Sequence, residues 1–316
     1  MTTSQPPLSG RLLVVGSSMI DQIAYCDAFP RDGETLVGSA FEQGFGGKGA
    51  NQAVIAARLG GTVSFVGRVG DDQYGAEITA NLAANGVDVS GVKATPGHSS
   101  GIAPIWVDRT GANRILIIPG ANHALSGADV EHQVERIEPA GVVLGQLEAP
   151  QEATTAAFAW GRRVGSTTVL NAAPAAELSM DLRRTTDWLI VNESEFESLW
   201  GAPTTVEHVE HAAHRWNLSL VVTLGAEGAI GTDRRDVFRV PALAVDVVDT
   251  TGAGDAFVGS FAMAMAAGWA PADALRLAVV CGSLSTTRPG TQSSYPRPAE
   301  VVDALKGVSP EKGPQA

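Results

Sequence analysis

Six short, mostly apolar runs recur along this chain, separated by stretches with the length and periodicity of helices. That alternation limits the fold more than any other feature. The runs are Arg11–Gly16 ("RLLVVG"), Val63–Val66, Gly141–Leu144, Thr168–Leu170, Trp188–Val191 and Leu218–Leu224. Short apolar runs that end in turn residues are the pattern of strands buried on both faces. Helical stretches occur at Ala50–Leu59, Tyr74–Asn85, Ser126–Ile137, Gln151–Val164, Glu193–Trp200 and Thr205–Trp216. The order predicts an α/β fold: a doubly wound, mainly parallel sheet with helices on both faces. Two segments break the alternation. Met19–Phe45 and Gly101–Ile118 read as strands and turns without a helix, and "VDRTGANR" (107–114) reads as a hairpin loop. These two are expected to form a small β-sheet lid on the α/β body. Residues 1–316 are read as a single domain, with 306–316 as a frayed tail.

Charge narrows the partners. The formal net charge is −12 and no cluster of lysines or arginines occurs, so neither nucleic acid nor an anionic membrane is expected. The longest uncharged stretch, Ala256–Ala272, is rich in Ala and Gly and fits a buried core helix better than a membrane span. No signal peptide is evident at the start, and Cys26 and Cys281 are far apart, read as buried free thiols. The expected location is cytoplasmic.

Four loops carry the candidate chemistry. In "VVDTTGAGDAFVG" (Val247–Gly259), Gly252 and Gly254 keep side chains away, so a ligand can approach the backbone. The helix that follows would aim its first amides at negative charge on a transferring phosphoryl group, and Asp255 there is suited to take a proton from an attacking hydroxyl. In "EQGFGGKGANQAVIAARLGG" (Glu42–Gly61), Gly44, Gly46 and Gly49 with Asp71 match a dinucleotide fingerprint formally, but a polar stretch precedes them where a buried strand is required. What remains is a glycine loop entering a helix, where Lys48 adds a cation and Asn51 an amide. "NESE" (Asn192–Glu195) sits at a strand-to-helix junction, where Asn192 and Glu195 either face a pocket or form a capping box. "VVTLGAEGAIG" (221–231) is a strand that breaks into Gly225 and Gly228. His208, His211 and His214 lie at i, i+3 and i+6 among Glu207 and Glu210, and read as a solvated helix face.

Taken in order, "GSSMID", "FGGKGANQAV", "VGDDQYG", "GQLEAP", "NESE", "TLGAEG", "VDTTGAGDAFVG" and "GTQSSYP" resemble the ribokinase-like (PfkB) sugar kinase family over roughly residues 11–297. The resemblance implies transfer of the γ-phosphoryl group of ATP to a primary hydroxyl, with O5 of D-ribose as the expected acceptor. It makes Asp255 the general base and Gly252, Ala253 and Gly254 the anion hole. Asp21 would grip the sugar, flanked by Met19 and Ile20, with Gly47, Lys48, Gly49, Ala50, Asn51 and Glu148 around it. ATP would meet Asn192, the turn Thr223, Leu224, Gly225, Ala226, Glu227, Gly228, and also Val279, Gly254 and Asp255. Glu195 would hold Mg²⁺ through water. Asp249 and Thr251, with Ser285, Arg288, Gly290 and Ser294, would enclose K⁺, mostly through carbonyls. Asp249, taken to end an apolar strand Ala244–Val248, is expected to be a poorly hydrated carboxylate without a cationic partner. The lid is expected to form a homodimer interface. One position departs from the family: Met19 stands where a polar Asn is usual. The rival readings are a kinase for another furanose or a nucleoside, and a non-catalytic sugar or nucleotide sensor. Aromatics at 6% give little surface for a nucleoside base.

Overall fold

The computed structural model describes residues 8–308 and 311–312. In chain order the strands are β1 (Arg11–Val15), β2 (Met19–Cys26), β3 (Ala40–Gly46), β4 (Thr62–Gly70), β5 (Val87–Thr95), β6 (Gly101–Asp108), β7 (Asn113–Ile115), β8 (Val142–Gly145), β9 (Thr167–Asn171), β10 (Trp188–Asn192), β11 (Ser219–Thr223), β12 (Ala229–Thr232), β13 (Val237–Val240) and β14 (Glu311–Lys312). The helices are α1 (Lys48–Arg58), α2 (Gln73–Ala84), α3 (Gly127–Val134), α4 (Gln151–Val164), α5 (Met180–Thr185), α6 (Glu193–Trp200), α7 (Val206–Trp216), α8 (Ala253–Ala266), α9 (Pro271–Ser285) and α10 (Pro298–Leu305).

The large sheet runs β14-β13-β12-β11-β10-β9-β8-β1-β4-β5, parallel from β11 to β5, with β12, β13 and β14 added antiparallel at one edge. Side chains alternate across it. Leu12 and Val14 of β1 join the core on one face with Phe65 and Phe261, while Leu13 and Val15 join the core on the other with Phe158 and Phe196. Strand β1 has β4 on one side and β8 on the other, so the winding reverses there. Ligands of open α/β sheets bind outside the carboxyl ends of strands at such a reversal.

Helix α8 is apolar nearly all round and continuously buried from Asp255 to Ala264, as the uncharged stretch predicts. It lies against α1 and α9. A Cβ on Gly259 would fall 2.4 Å from the Gln52 carbonyl oxygen, so only glycine lets α1 approach α8 this closely.

The lid is a separate four-stranded sheet, β3-β2-β6-β7, in which β2 and β6 are parallel and the outer pairs antiparallel. The hairpin expected at "VDRTGANR" joins β6 to β7. One face of β2 carries Asp21, Ile23 and Tyr25 towards a cleft of about 820 Å³ between lid and body. On the other face, Phe41, Ala24 and Trp106 form a cross-strand row in which Phe41 is 63% and Trp106 43% exposed.

Three expectations are corrected. Ala244–Val248 is not a strand: the N–H groups of Val248 and Asp249 both donate to the Thr286 carbonyl at the end of α9, and Val247 and Val248 are exposed. Without a neighbouring strand to pair with, alternating valines are not enough to make one. The described part of the tail is docked rather than frayed, because Val308 is an apolar anchor in the core and β14 pairs with β13; residues 309–310 and 313–316 lie outside the described residues. Cys26 is only half-buried, on the lid, while Cys281 is buried; both are free thiols. On α7 the buried face is Val209, Ala212 and Ala213, with His211 and His214 exposed opposite it. Among the described residues no helix is long and apolar enough to cross a membrane.

Candidate active site

The site forms where β1, β8, β9, β10 and β11 end. Gly252 starts α8 from the left-handed region (φ 75°), where a side chain would be strained and its Cβ would press on Thr291. A Cβ at Gly254 would meet nothing within 4 Å, so the space in front of the helix is open. One member of the expected anion hole is already engaged: the Ala253 N–H donates to the Thr250 carbonyl. The positive end of the α8 dipole faces the same space.

Asp255, 7% exposed, is held from both sides by α1: Asn51 Nδ2 donates to its Oδ2 and Gln52 Nε2 to its Oδ1, each at 2.9 Å. Asn51 is in turn held by Gln292 from the Pro289–Ser293 loop, and Gln292 by Asn81 of α2. Glu148, just after β8, accepts from Ser17 Oγ at 2.6 Å and from the Lys48 N–H at 2.9 Å, which ties the glycine loop to the ends of β1 and β8.

Four ionisable groups share this space with Asp255. The Lys48 ammonium stays charged above the ordinary lysine range because of Asp255 first, with burial opposing and Glu148 and Glu195 adding. Burial, then Glu148 and Asp255, pushes the Asp21 carboxyl up to about 7. Burial also raises Glu195, with the Asn192 N–H and Lys48 pulling it back and Asp255 pushing it further up. One cation among four carboxyls, at an open helix N-terminus, is an arrangement that can move a proton and hold a multiply charged anion.

The expected nucleotide residues fall at neighbouring strand ends. Asn192 and Thr223 are register partners on β10 and β11, and the turn from Gly225 to Glu227 closes with the Leu224 N–H on the Gly228 carbonyl. Asn192 and Glu195 form a reciprocal capping box at 2.8 Å each way. Val279 lies 4% exposed inside the core on α9, and Glu227 pairs with Arg239. Asp249 is not the unpaired carboxylate that was expected. Burial raises it, but hydrogen bonding from the Thr251 side chain, and then from the N–H groups of Thr251 (2.9 Å) and Gly290 (2.8 Å), outweighs that and leaves it below the usual range. Ser285 and Ser294 donate to the carbonyls of Gly282 and Thr291, and Arg288 pairs with Glu300.

Comparison with known proteins bears on this geometry. Residues 9–298 match the model of the pfkB family carbohydrate kinases. The chain belongs to that family. The kinase is 40% identical to a deoxyribokinase of Salmonella typhi over 291 residues, 90% of this chain and 95% of the relative. It is 37% identical to a ribokinase of Schizosaccharomyces pombe over 305 residues, 92% and 96% of the two chains. Its fold matches that of Arabidopsis thaliana ribokinase complexed with ribose and ATP, with a TM-score of 0.85, 30% identity, and coverage of 94% of this kinase and 99% of that chain.

Residues that the sequence reading passed over are Ser17, Gln52, Gln146, Asn171 and Gln292. The available signal was polarity at positions the pattern makes core: Gln52 sits in the middle of the buried face of α1, and Gln146 and Asn171 terminate apolar strands.

Proposed function

We propose that this carbohydrate kinase transfers the γ-phosphoryl group of ATP to O5 of a pentose, D-ribose in the first instance, with Asp255 as general base. The observation that carries the reading is Asp255 itself, a buried carboxylate oriented by two amides at the mouth of a helix whose front is open. Asp255 takes the proton of the primary hydroxyl as its oxygen bonds to the γ-phosphorus, and the bond from that phosphorus to the β-γ bridging oxygen breaks, giving ribose 5-phosphate and ADP. The α8 N-terminus and Lys48 offset the charge that develops on the phosphoryl oxygens. Asp21, with Asn51, Glu148 and the Gly47–Ala50 backbone, holds the sugar; Asn192 and the Thr223–Gly228 turn hold the nucleotide. Oxygen donors suit Mg²⁺, and the half-buried, raised Glu195 carboxyl fits an ion held through water, which supplies charge neutralisation on the phosphates.

A second reading, 2-deoxy-D-ribose as acceptor, is favoured by Met19. It is 2% exposed, shares the strand face of Asp21 two residues away, and presents thioether where the family usually offers an amide. An apolar neighbour loses less from a sugar lacking one hydroxyl. ATP consumption with ribose, 2-deoxyribose, hexoses and nucleosides is the direct test. Met19→Asn is expected to move the ribose-to-deoxyribose ratio of kcat/KM about tenfold towards ribose, the worth of roughly one hydrogen bond. An unchanged ratio removes Met19 from sugar selection.

We extend the proposal to two further properties. K⁺ sits between the Thr250–Thr251 and Arg288–Ser294 loops, held mainly by carbonyl oxygens, with the ionised Asp249 joining the two loops through Thr251 and Gly290. Turnover is expected to be several-fold higher in K⁺ than in Na⁺ at matched ionic strength, and equal rates would reject the site. A homodimer forms through the outer lid face, where Phe41 and Trp106 leave apolar surface exposed. Sedimentation should give a dimer that Trp106→Glu converts to monomer; a monomeric wild type would count against it.

A further inference from the structure

Gln52, the residue behind the proposed base, is the most completely bonded side chain of the site, although no motif of the sequence reading gave it a role. It is fully buried, and its amide uses every hydrogen-bonding group it has. One N–H goes to Asp255 Oδ1 at 2.9 Å, the other to Asn171 Oδ1 at 3.0 Å, and its Oε1 accepts from Gln146 Nε2 at 2.7 Å. Each neighbour is itself fixed: Asn171 Nδ2 donates to the Ile190 carbonyl, and Gln146 is fully buried after β8.

The direction of these bonds matters. An amide has two orientations, and if Gln52 were flipped its carbonyl oxygen would face the Asp255 carboxylate, acceptor against acceptor. The Asn171 oxygen, turned to Gln52 because the Asn171 Nδ2 is committed to the Ile190 carbonyl, selects the orientation that turns N–H groups to Asn171 and Asp255, and the Gln146 donor on the Gln52 oxygen completes it. Gln146 Oε1, for its part, has no hydrogen-bond partner among the described residues. Apolar side chains of similar length would avoid the orphaned oxygen and would suit a layer between two hydrophobic cores.

We infer that Gln52 is a positioning residue for phosphoryl transfer: held in one orientation by Gln146 and Asn171, it fixes one oxygen of Asp255 while Asn51 fixes the other. A carboxylate bonded at a single oxygen can turn about its Cβ–Cγ bond. Held at both, it presents its remaining lone pairs in one fixed plane. The inference rests on Asp255 being the base, so its test includes a variant that probes that reading separately.

The experiment is a double-mutant cycle on the full chain, with Gln52→Met, Gln146→Met and the pair, read by kcat, by KM for ribose and ATP, and by melting temperature. Gln52→Met is expected to lower kcat about 30-fold with both KM values within threefold and no loss of melting temperature. Gln146→Met, which touches Asp255 only through Gln52, should lower kcat several-fold. The double variant should be no worse than Gln52→Met alone, because both act through one contact. If the two losses multiply, or if Gln52→Met keeps kcat within twofold, the positioning role is overturned. A fall in melting temperature with kcat unchanged would make Gln52 a packing residue, which also overturns it. Should Gln52→Met not fold, Gln146→Met decides alone: unchanged kcat refutes the orientation argument. Asp255→Asn run in parallel separates the failures, since an active Asp255→Asn removes the base whatever Gln52 does, whereas an inactive one with a normal Gln52→Met removes only the positioning.

Discussion

Asp255→Asn should lower kcat by roughly 10²–10⁴-fold, the range for loss of a positioned general base. Affinity for ATP should stay within a few-fold, because the turn proposed to hold the nucleotide, Thr223–Gly228, lies on another strand end. The substitution keeps the size of the side chain and removes its basicity. It also places an NH₂ group where two amides donate, from Asn51 and Gln52, so one of those bonds must break or reverse. The variant therefore perturbs orientation as well as proton affinity, and Asp255→Glu helps to tell them apart. Glutamate restores a base but moves it by one methylene, and near-attack geometry is sensitive to about an ångström. A recovery of at least tenfold over Asp255→Asn is expected. Turnover of Asp255→Asn within threefold of wild type, at saturating sugar and ATP, would exclude Asp255 as the base.

The strand ends explain why so much of this was legible in the sequence. Apolar runs at Arg11–Gly16, Trp188–Val191 and Leu218–Leu224 each fall within a residue or two of an observed strand, since a strand covered on both faces has few other compositions open to it. Glycines marked the loops for a similar reason: the left-handed Gly252 leaves few other residues feasible, and at Gly254 a side chain would fit but would stand in the open space before the helix. The failures have a shared physical origin. Val245, Val247 and Val248 have strand propensity, yet a strand needs a neighbour, and the partner of that segment is the carbonyl of Thr286, 38 residues beyond Val248. Strands β12 and β13 were passed over because they are only four residues long; β12 is wholly buried, and β13 alternates between half-buried and buried positions. Asp249 looked unpaired because no Lys or Arg stands near it in sequence, but backbone N–H groups satisfy a carboxylate as well as a cation does, and a residue string does not display them. Asn51 was picked out as a site amide, but its bond to Asp255, and the role of Gln52, were hidden in the same way. Gln52 contacts Asp255 across 203 positions and Gln292 contacts Asn51 across 241, distances over which no local pattern operates.

The sugar-binding role proposed for Asp21 predicts the second large effect, and its environment adds a pH signature that a purely structural carboxyl would lack. Burial, Glu148 and Asp255 push its carboxyl up to about 7 in the ligand-free protein, against 3.8 ordinarily. Below that pH the group is neutral and loses most of its strength as an acceptor; above it, the carboxylate can take hydrogen bonds from two adjacent hydroxyls. Each bond to a charged group is worth about 1.5–3 kcal/mol, so Asp21→Ala should raise KM for the pentose by roughly 10²-fold or more, with KM for ATP little changed. In the wild type, kcat/KM for the sugar should fall as pH drops through 7, and in Asp21→Asn that dependence should vanish. The stability effect has the opposite sign. Between 3.8 and about 7 the folded state binds more protons than the unfolded one, so the ligand-free protein loses stability as pH rises through that window, and the full penalty is present above it. Asp21→Asn removes the buried charge. Its melting temperature should exceed that of the wild type by a few degrees at pH 8 and match it near pH 4, where both side chains are neutral. Addition of ribose should raise the melting temperature of the wild type at pH 8 and leave that of Asp21→Asn nearly unchanged. A variant that melts lower than wild type at pH 8, with KM for sugar and ATP raised alike, would mean that Asp21 supports the lid rather than the sugar.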